Sequence, residues 1–167
     1  ATARRLGAVV SASDVRPAAK ENVESLGASF VAVQDEEFKQ AETAGGYAKE
    51  MSDTYKAKQS ELIASTVAKQ DIVICTALIP GRPAPVLVTE DMIKTMKPGS
   101  VLVDLAVEQG GNCPLSVADK TIVKNGVSIV GQTNMASKLP IDASILFAKN
   151  LLNFLAPMIQ QDQKQLI

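Results

Sequence analysis

The sequence of 167 residues contains no histidine and only two cysteines, Cys75 and Cys113, which are far apart and form no CxxC pair. Because zinc sites are built mainly from these two residue types, we expect no metal centre. So few isolated cysteines are also typical of a reducing, cytoplasm-like compartment. Dehydrogenases that oxidise alcohols or amines most often use a histidine as their general base, so its absence disfavours that mechanism.

Aromatic residues and positive charge are scarce as well. The chain has four Phe, two Tyr and a net charge of −1, with its basic residues scattered. Nucleic-acid binding needs a basic surface and stacking platforms, so we exclude that class. No apolar run approaches the roughly 18 residues that cross a bilayer, which predicts no direct membrane insertion. The composition, 46% hydrophobic and 21% charged, is typical of an ordinary globular protein.

Strand-like and helical patterns alternate along the chain. Apolar strand patterns cover residues 8–12, 28–33, 71–78 and 100–111, and residues 121–134 read as two strands about an Asn-Gly turn. Helical periodicity covers residues 17–26, 53–69 and 143–155. This alternation predicts an α/β fold with a doubly wound parallel sheet. The near-continuous apolar run of residues 71–78 predicts a strand buried on both faces.

Asp14 directly follows the first predicted strand and precedes a helix that starts at Pro17. Ligands of open parallel sheets bind at the carboxyl ends of strands, where an acidic side chain can bind the ribose of NAD and repel the 2′-phosphate of NADP. Arg16 weakens that preference, because an arginine can accommodate a 2′-phosphate. The alternative is that Asp14 only caps the helix.

Residues 34–54 form a polar stretch without clear periodicity, centred on AGGYAKEM. Gly45 and Gly46 make a hinge, and Tyr47 and Met51 would share one face of a helix. The pattern indicates a lid, with a surface loop as the alternative.

Two further features bear on the core and the site. Asp104 and Glu108 follow a predicted strand, and their spacing favours solvated or capping roles over an acid and base pair.

The helix 143–155 carries four large apolar side chains at core spacing, namely Phe147, Leu151, Phe154 and Leu155.

Four motifs occur in the order AGGYAKEM, TALIPGRPAPVL, KPGSVLVDLAVEQGGN and DASILFAKNLLNFL. Together they closely resemble the NAD(H)-binding component of proton-translocating nicotinamide nucleotide transhydrogenase, found in the alpha subunit of bacterial enzymes. The related alanine dehydrogenases share the double glycine.

The resemblance implies roles for particular residues. Asp14 would bind the adenosine ribose of NAD(H), and Val15 and Arg16 would line the adenine side. Gly46 and Tyr47 would belong to a mobile loop that closes over the nucleotide, which favours the lid interpretation. The strand end formed by Thr76, Ala77 and Leu78 would lie beside the cofactor. Hydride transfer between two nicotinamides requires alignment rather than a general base, so we name no catalytic residue.

The resemblance also implies an organisation. Residues 1–142 would form an NAD(H)-binding Rossmann-like domain whose first strand and GxGxxG turn are missing, and residues 143–167 a helix and polar tail that pack toward an absent first domain. The expected partners are an NADP(H)-binding component, a membrane component and a second copy in a homodimer. These would hold the protein at the cytoplasmic face of the bacterial inner membrane.

Three functions remain open. The first is passage of a hydride from NADH to NADP on a separate component, coupled to proton translocation. The second is an NAD-dependent oxidoreductase like alanine dehydrogenase. The third is a Rossmann-like segment that binds no nucleotide, because its glycine turn is gone.

Overall fold

A sheet of four strands forms the centre of the second half of the chain. The computed structural model describes residues 1–41, 49, 51–160 and 165–166. The helices are α1 (Thr2–Arg5), α2 (Ala18–Ser25), α3 (Glu36–Lys39), α4 (Asp53–Val67), α5 (Glu90–Thr95), α6 (Met135–Lys138) and α7 (Pro140–Leu155), with 3₁₀ turns at Val107–Gln109 and Ala156–Met158. The strands are β1 (Ser11–Ala12), β2 (Ser29–Phe30), β3 (Ile72–Cys75), β4 (Val101–Asp104), β5 (Lys120–Lys124), β6 (Val127–Gly131), β7 (Ile159–Gln160) and β8 (Gln165–Leu166).

The main sheet has the strand order β3-β4-β6-β5. Strands β3, β4 and β6 are parallel, and β5 pairs antiparallel with β6. The β5–β6 hairpin turns at Asn125 and Gly126, whose φ angles of 51° and 76° are those that a tight hairpin turn requires. Strands β1 and β2 form a second, parallel pair. The sequence prediction of an α/β fold with parallel strands is therefore confirmed.

Helix α4 joins two hydrophobic cores. Its last residue, Val67, packs in a core formed by α5 and the main sheet, which includes Ile93, Leu102 and Ile129. Near its start, Tyr55 packs in a smaller core with Phe38, Ala41 and Met51. Two polar contacts reinforce this second connection, since Tyr55 Oη donates to the Val33 carbonyl at 3.1 Å and the Val33 N–H donates to Gln59 Oε1 at 3.2 Å.

The residues that the structure describes cover one face of β3 and leave the other open. Val73 and Cys75 face the main core, whereas Ile72 and Ile74 are 63% and 60% exposed. The prediction of a strand buried on both faces is thus wrong for this chain. The physical reason is that α4 and α5 both pack on the face of Val73 and Cys75, and no described residue buries the face of Ile72 and Ile74.

Helix α7 starts three residues before its predicted first residue, with Pro140 in its first turn. The core spacing of its apolar residues does not bury them against the described part of this chain. Phe147, Leu151, Phe154 and Leu155 are between 43% and 65% exposed, and no residue of α7 is buried. Phe147, Leu151, Phe154 and Leu155 lie on one side of the helix, opposite Asp142, Lys149 and Asn153, so its helical periodicity was correct, but this apolar face does not pack on the described residues of this chain.

We expect the substitution Tyr55→Phe to lower the free energy of unfolding by about 1 kcal/mol, because the Val33 carbonyl loses its hydroxyl donor. Urea unfolding followed by circular dichroism measures the change. Thr54→Val, which removes an exposed hydroxyl from the same helix, is the matched control and should change stability by less than about 0.5 kcal/mol. Equal stability of Tyr55→Phe and the parent protein would contradict a stabilising role for this hydrogen bond.

Candidate functional site

The carboxyl ends of the parallel strands carry most of the residues singled out from the sequence. Thr76, Ala77 and Leu78 follow β3, with Thr76 and Leu78 exposed and Ala77 half-buried. The polar segments that follow β4 and β6 lie at the same edge of the main sheet, because these strands run parallel to β3. Asp14, Val15 and Arg16 follow β1, in the two-stranded sheet. Each group therefore lies at the carboxyl edge of its own sheet, which is where open α/β sheets bind ligands.

Asp14 closes a tight turn before α2. Its Oδ1 accepts hydrogen bonds from the backbone N–H and the Nε of Arg16 at 2.9 and 3.0 Å, and its Oδ2 accepts one from Arg16 Nη2 at 2.8 Å. The N-cap residue of α2 is Pro17, and no side chain caps the helix. The alternative that Asp14 only caps the helix therefore does not fit the structure.

The Asp14 carboxylate is held in its charged form. Burial would by itself raise the pKa of this carboxyl, but the hydrogen bonds and the positive charge of Arg16 outweigh that effect and lower the pKa below its usual value of 3.8. The side chain of Asp14 is 28% exposed and that of Arg16 is 46% exposed. An ionised carboxylate thus reaches the solvent at the end of β1.

Asp104 differs from its sequence interpretation as a solvated or capping residue. It is fully buried at the end of β4, where its carboxylate accepts hydrogen bonds from the N–H groups of Ala106 and Cys113 at 3.0 Å and from Ser116 Oγ at 2.7 Å. Periodicity could not reveal this role, because the partners come from a loop that folds back around the carboxylate. Asp104 is a structural centre of the loop after β4.

Glu108 and Asn134 connect two strand ends. The exposed carboxylate of Glu108 accepts a hydrogen bond from the Asn134 N–H at 2.5 Å. Asn134 adopts a left-handed conformation with φ of 48°, in the turn that leaves β6. Asp104 and Glu108 therefore serve different partners, in agreement with the expectation that they do not form an acid and base pair.

The sequence analysis did not single out Asn112, which the structure places next to Ala77. Its buried side-chain amide makes hydrogen bonds with both backbone groups of Ala77 and with the Pro85 carbonyl. The only signal in the sequence was its place after the glycine pair Gly110-Gly111 in a loop that follows a strand. Gly46 and Tyr47, predicted as part of a lid, lie outside the described residues.

Comparison with known proteins identifies the fold family. Residues 1–167 match the family model described as alanine dehydrogenase/PNT, C-terminal domain. The chain belongs to this family. It is 62% identical to the first part of the NAD(P) transhydrogenase alpha subunit of Rhodospirillum rubrum, over 100% of this chain and 44% of that protein.

Solved structures agree with this assignment to the alanine dehydrogenase/PNT family. A transhydrogenase from Sinorhizobium meliloti is 56% identical, with a TM-score of 0.77, and the match covers 95% of this chain and 41% of that one. An L-alanine dehydrogenase is 26% identical, with a TM-score of 0.69 over 92% of this chain and 37% of that one. The resemblance inferred from the four motifs and the fold class are thereby confirmed. The chain spans less than half the length of these relatives.

The two cysteines flank the candidate site and are buried. Burial, with smaller contributions from Asp104 and Cys113, raises the pKa of the Cys75 thiol to about 12, and burial also raises the pKa of Cys113. Thiolate is the reactive form of cysteine, so we expect both thiols to resist a disulfide reagent at pH 8 in the native protein and to react after unfolding in guanidinium.

The disulfide reagent releases a coloured thiolate when it reacts, and the absorbance of that thiolate measures the reactivity of the cysteines. An added exposed cysteine, Ser60→Cys on α4, is the positive control and should react within the mixing time. Rapid native reaction of Cys75 or Cys113 would contradict their burial.

Proposed function

We propose that this chain is the NAD(H)-binding part of a transhydrogenase, which passes a hydride from NADH to NADP on a separate component in a reaction coupled to proton translocation. The nicotinamide ring of the bound nucleotide supplies the hydride. The single observation that carries the proposal is the partly exposed carboxylate of Asp14 at the carboxyl end of a parallel strand, in a chain 62% identical to a transhydrogenase alpha subunit.

The chemistry of Asp14 fits a ribose hydroxyl. The Asp14 carboxylate is partly exposed and already accepts three hydrogen bonds from Arg16. As a charged acceptor it can also accept a hydrogen bond from a ribose hydroxyl. A second hydroxyl would require the exposed side chain of Arg16 to turn away, which frees the acceptor sites that it occupies.

The same geometry supports NAD over NADP. Arg16 could attract a 2′-phosphate, but its guanidinium lies 2.8 Å from the Asp14 carboxylate. A phosphate placed beside this guanidinium would also lie beside a like charge, and that repulsion opposes binding.

The remaining site residues are assigned to the same nucleotide. Val15 lines the adenine side, Thr76, Ala77 and Leu78 form the wall at the end of β3, and the loop with Gly46 and Tyr47 closes over the bound nucleotide. These residues align two nicotinamides rather than move a proton, so the assignment requires no general base.

The unpartnered apolar surface supports the proposed organisation. Residues 1–142 act as the nucleotide-binding domain, while residues 143–167, which contain most of the exposed apolar helix α7, pack on further segments of the same polypeptide. A wide apolar helix face that is exposed in one segment is typical of a surface that another segment covers. The relatives have the additional chain that such a contact needs, since the match covers 44% of the Rhodospirillum rubrum protein.

The proposed assembly contains a second copy of the chain, an NADP(H)-binding component and a membrane component. Among the residues that the structure describes, no helix is long and apolar enough to cross a bilayer. We propose that the partner subunits attach the protein to the cytoplasmic face of the inner membrane.

An alanine-dehydrogenase-like oxidoreductase is the second candidate, favoured by the TM-score of 0.69 to an L-alanine dehydrogenase. Activity assays of the full-length gene product with its partner subunits separate the two functions. We expect hydride transfer from NADH to an NADP analogue and no NAD reduction by amino acids. Amino-acid-dependent NAD reduction would overturn the transhydrogenase proposal, and failure to bind NADH would overturn both.

For the full-length gene product, we expect Asp14→Asn to weaken NADH binding by about 1 to 3 kcal/mol, because the ribose loses a charged acceptor. Fluorescence titration measures the affinity, and the preference for NADH over NADPH should decrease in the same experiment. Asp71→Asn is the matched control, since Asp71 is an exposed carboxylate paired with a basic side chain, Lys97, at the opposite end of β3. Unchanged affinity in Asp14→Asn would remove Asp14 from the nucleotide site.

A further inference from the structure

The segment that connects β3 to α5, residues 76–88, lacks regular secondary structure. It contains Pro80, Pro83 and Pro85, none of which has a backbone N–H to donate. The segment therefore cannot be organised by a ladder of its own hydrogen bonds. Its conformation depends on contacts from elsewhere in the chain.

Asn112 supplies the central contacts. Its Oδ1 accepts a hydrogen bond from the Ala77 N–H at 3.0 Å, and its Nδ2 donates to the Ala77 carbonyl at 2.9 Å and to the Pro85 carbonyl at 2.7 Å. The backbone carbonyl of Asn112 also accepts hydrogen bonds from the N–H groups of Leu87 and Val88 at 2.9 and 3.1 Å. One residue thus binds both ends of the 76–88 segment.

The side chain has no freedom to exchange these partners. Asn112 is 0% exposed, so water cannot replace a lost hydrogen bond. The orientation of its amide is determined by its partners, because the NH₂ group faces two carbonyls and the oxygen faces an N–H. Among the natural side chains of this size, only asparagine offers an acceptor and two donors in this arrangement.

Asn112 is itself held in place by its neighbours. The next N–H along the chain, that of Cys113, donates to the buried carboxylate of Asp104 at 3.0 Å. The preceding residue, Gly111, has φ of +82°, and a Cβ there would lie 2.8 Å from Asp104 Oδ2. The end of β4 therefore determines the position of Asn112, and Asn112 determines the position of Ala77.

We propose that Asn112 is a positioning residue for nucleotide binding: it holds the backbone of Ala77, and with it the strand end Thr76–Leu78, in the conformation that contacts NAD(H). The inference rests on the proposed function, because it assumes that the end of β3 faces the nucleotide. Asn112 acts through Ala77 and touches no reacting atom.

The test compares three variants of the full-length gene product. Asn112→Ala removes all three side-chain hydrogen bonds, and Asn112→Asp keeps the shape and the acceptor but loses both donated hydrogen bonds. Val127→Ala is the matched control, because Val127 is equally buried but begins β6 at the opposite end of the sheet. The readouts are the NADH dissociation constant, the thermal midpoint and the hydrogen exchange of the Ala77 amide.

We expect both Asn112 variants to raise the NADH dissociation constant by at least about tenfold and to speed exchange of the Ala77 amide, with protection in β4 and β6 unchanged. Val127→Ala should lower the thermal midpoint at least as much, yet bind NADH within about twofold of the parent. Asn112→Ala, which introduces no buried charge, keeps the test decisive if Asn112→Asp, whose carboxylate would face two carbonyls, does not fold.

Two results would overturn the positioning role while leaving the proposed function intact. One is NADH binding within about twofold of the parent in an Asn112 variant whose Ala77 amide exchanges faster. The other is an equal loss of affinity in Val127→Ala, which would mean that affinity follows global stability. Absence of NADH binding in the parent protein would instead overturn the proposed function together with this inference.

Discussion

The buried carboxylate of Asp104 is the interaction on which the candidate site depends. A carboxylate removed from water is costly unless several donors satisfy it, and here two backbone N–H groups and one hydroxyl do so. Because these donors come from residues 106–116, the hydrogen bonds to Asp104 form only when the loop after β4 folds around its carboxylate. Asn112 lies within that loop, and its side chain then fixes the segment after β3. The geometry of two neighbouring strand ends thus follows from one buried charge.

Helix α4 connects the main sheet, whose carboxyl edge carries Ala77, to the two-stranded sheet of β1 and β2. It contributes a buried residue to each hydrophobic core, and Gln59 Nε2 donates to Ser13 Oγ, next to Asp14, at 3.3 Å. The proposed ribose ligand and the proposed wall of the nucleotide site therefore belong to separate sheets that share one helix. The interior of the chain supports the site through polar contacts as well as through apolar packing.

The sequence predicted the features of the fold that depend on local chemistry. Apolar patterns identified the strands, and Asn125-Gly126 identified the hairpin, although the first four strands, β1 to β4, are all shorter than predicted. Asp14 was singled out as a candidate because a carboxylate at a strand end is a local signal. The roles of Asp104 and Asn112 were not predictable, because each depends on partners that are distant in the sequence or on the path of an irregular loop.

Apolar periodicity also could not predict what covers a surface. The apolar patterns of β3 and α7 are typical of buried residues. Ile72 and Ile74 on β3 and the large apolar side chains of α7 are nevertheless exposed in this chain. The same signal is produced by a residue that packs on its own segment and by one that packs on another segment or subunit. Periodicity identifies surfaces that require a partner, and the contacts in the structure identify which partners this chain itself supplies.

The absence of histidine from the sequence is compatible with the proposed hydride transfer. Hydride transfer between two nicotinamide rings depends on their separation and orientation, and no proton has to leave the reacting carbons. A chain with that task needs rigid strand ends more than it needs a histidine. The buried polar contacts of Asp104 and Asn112 supply such rigidity, because neither side chain can exchange its protein partners for water.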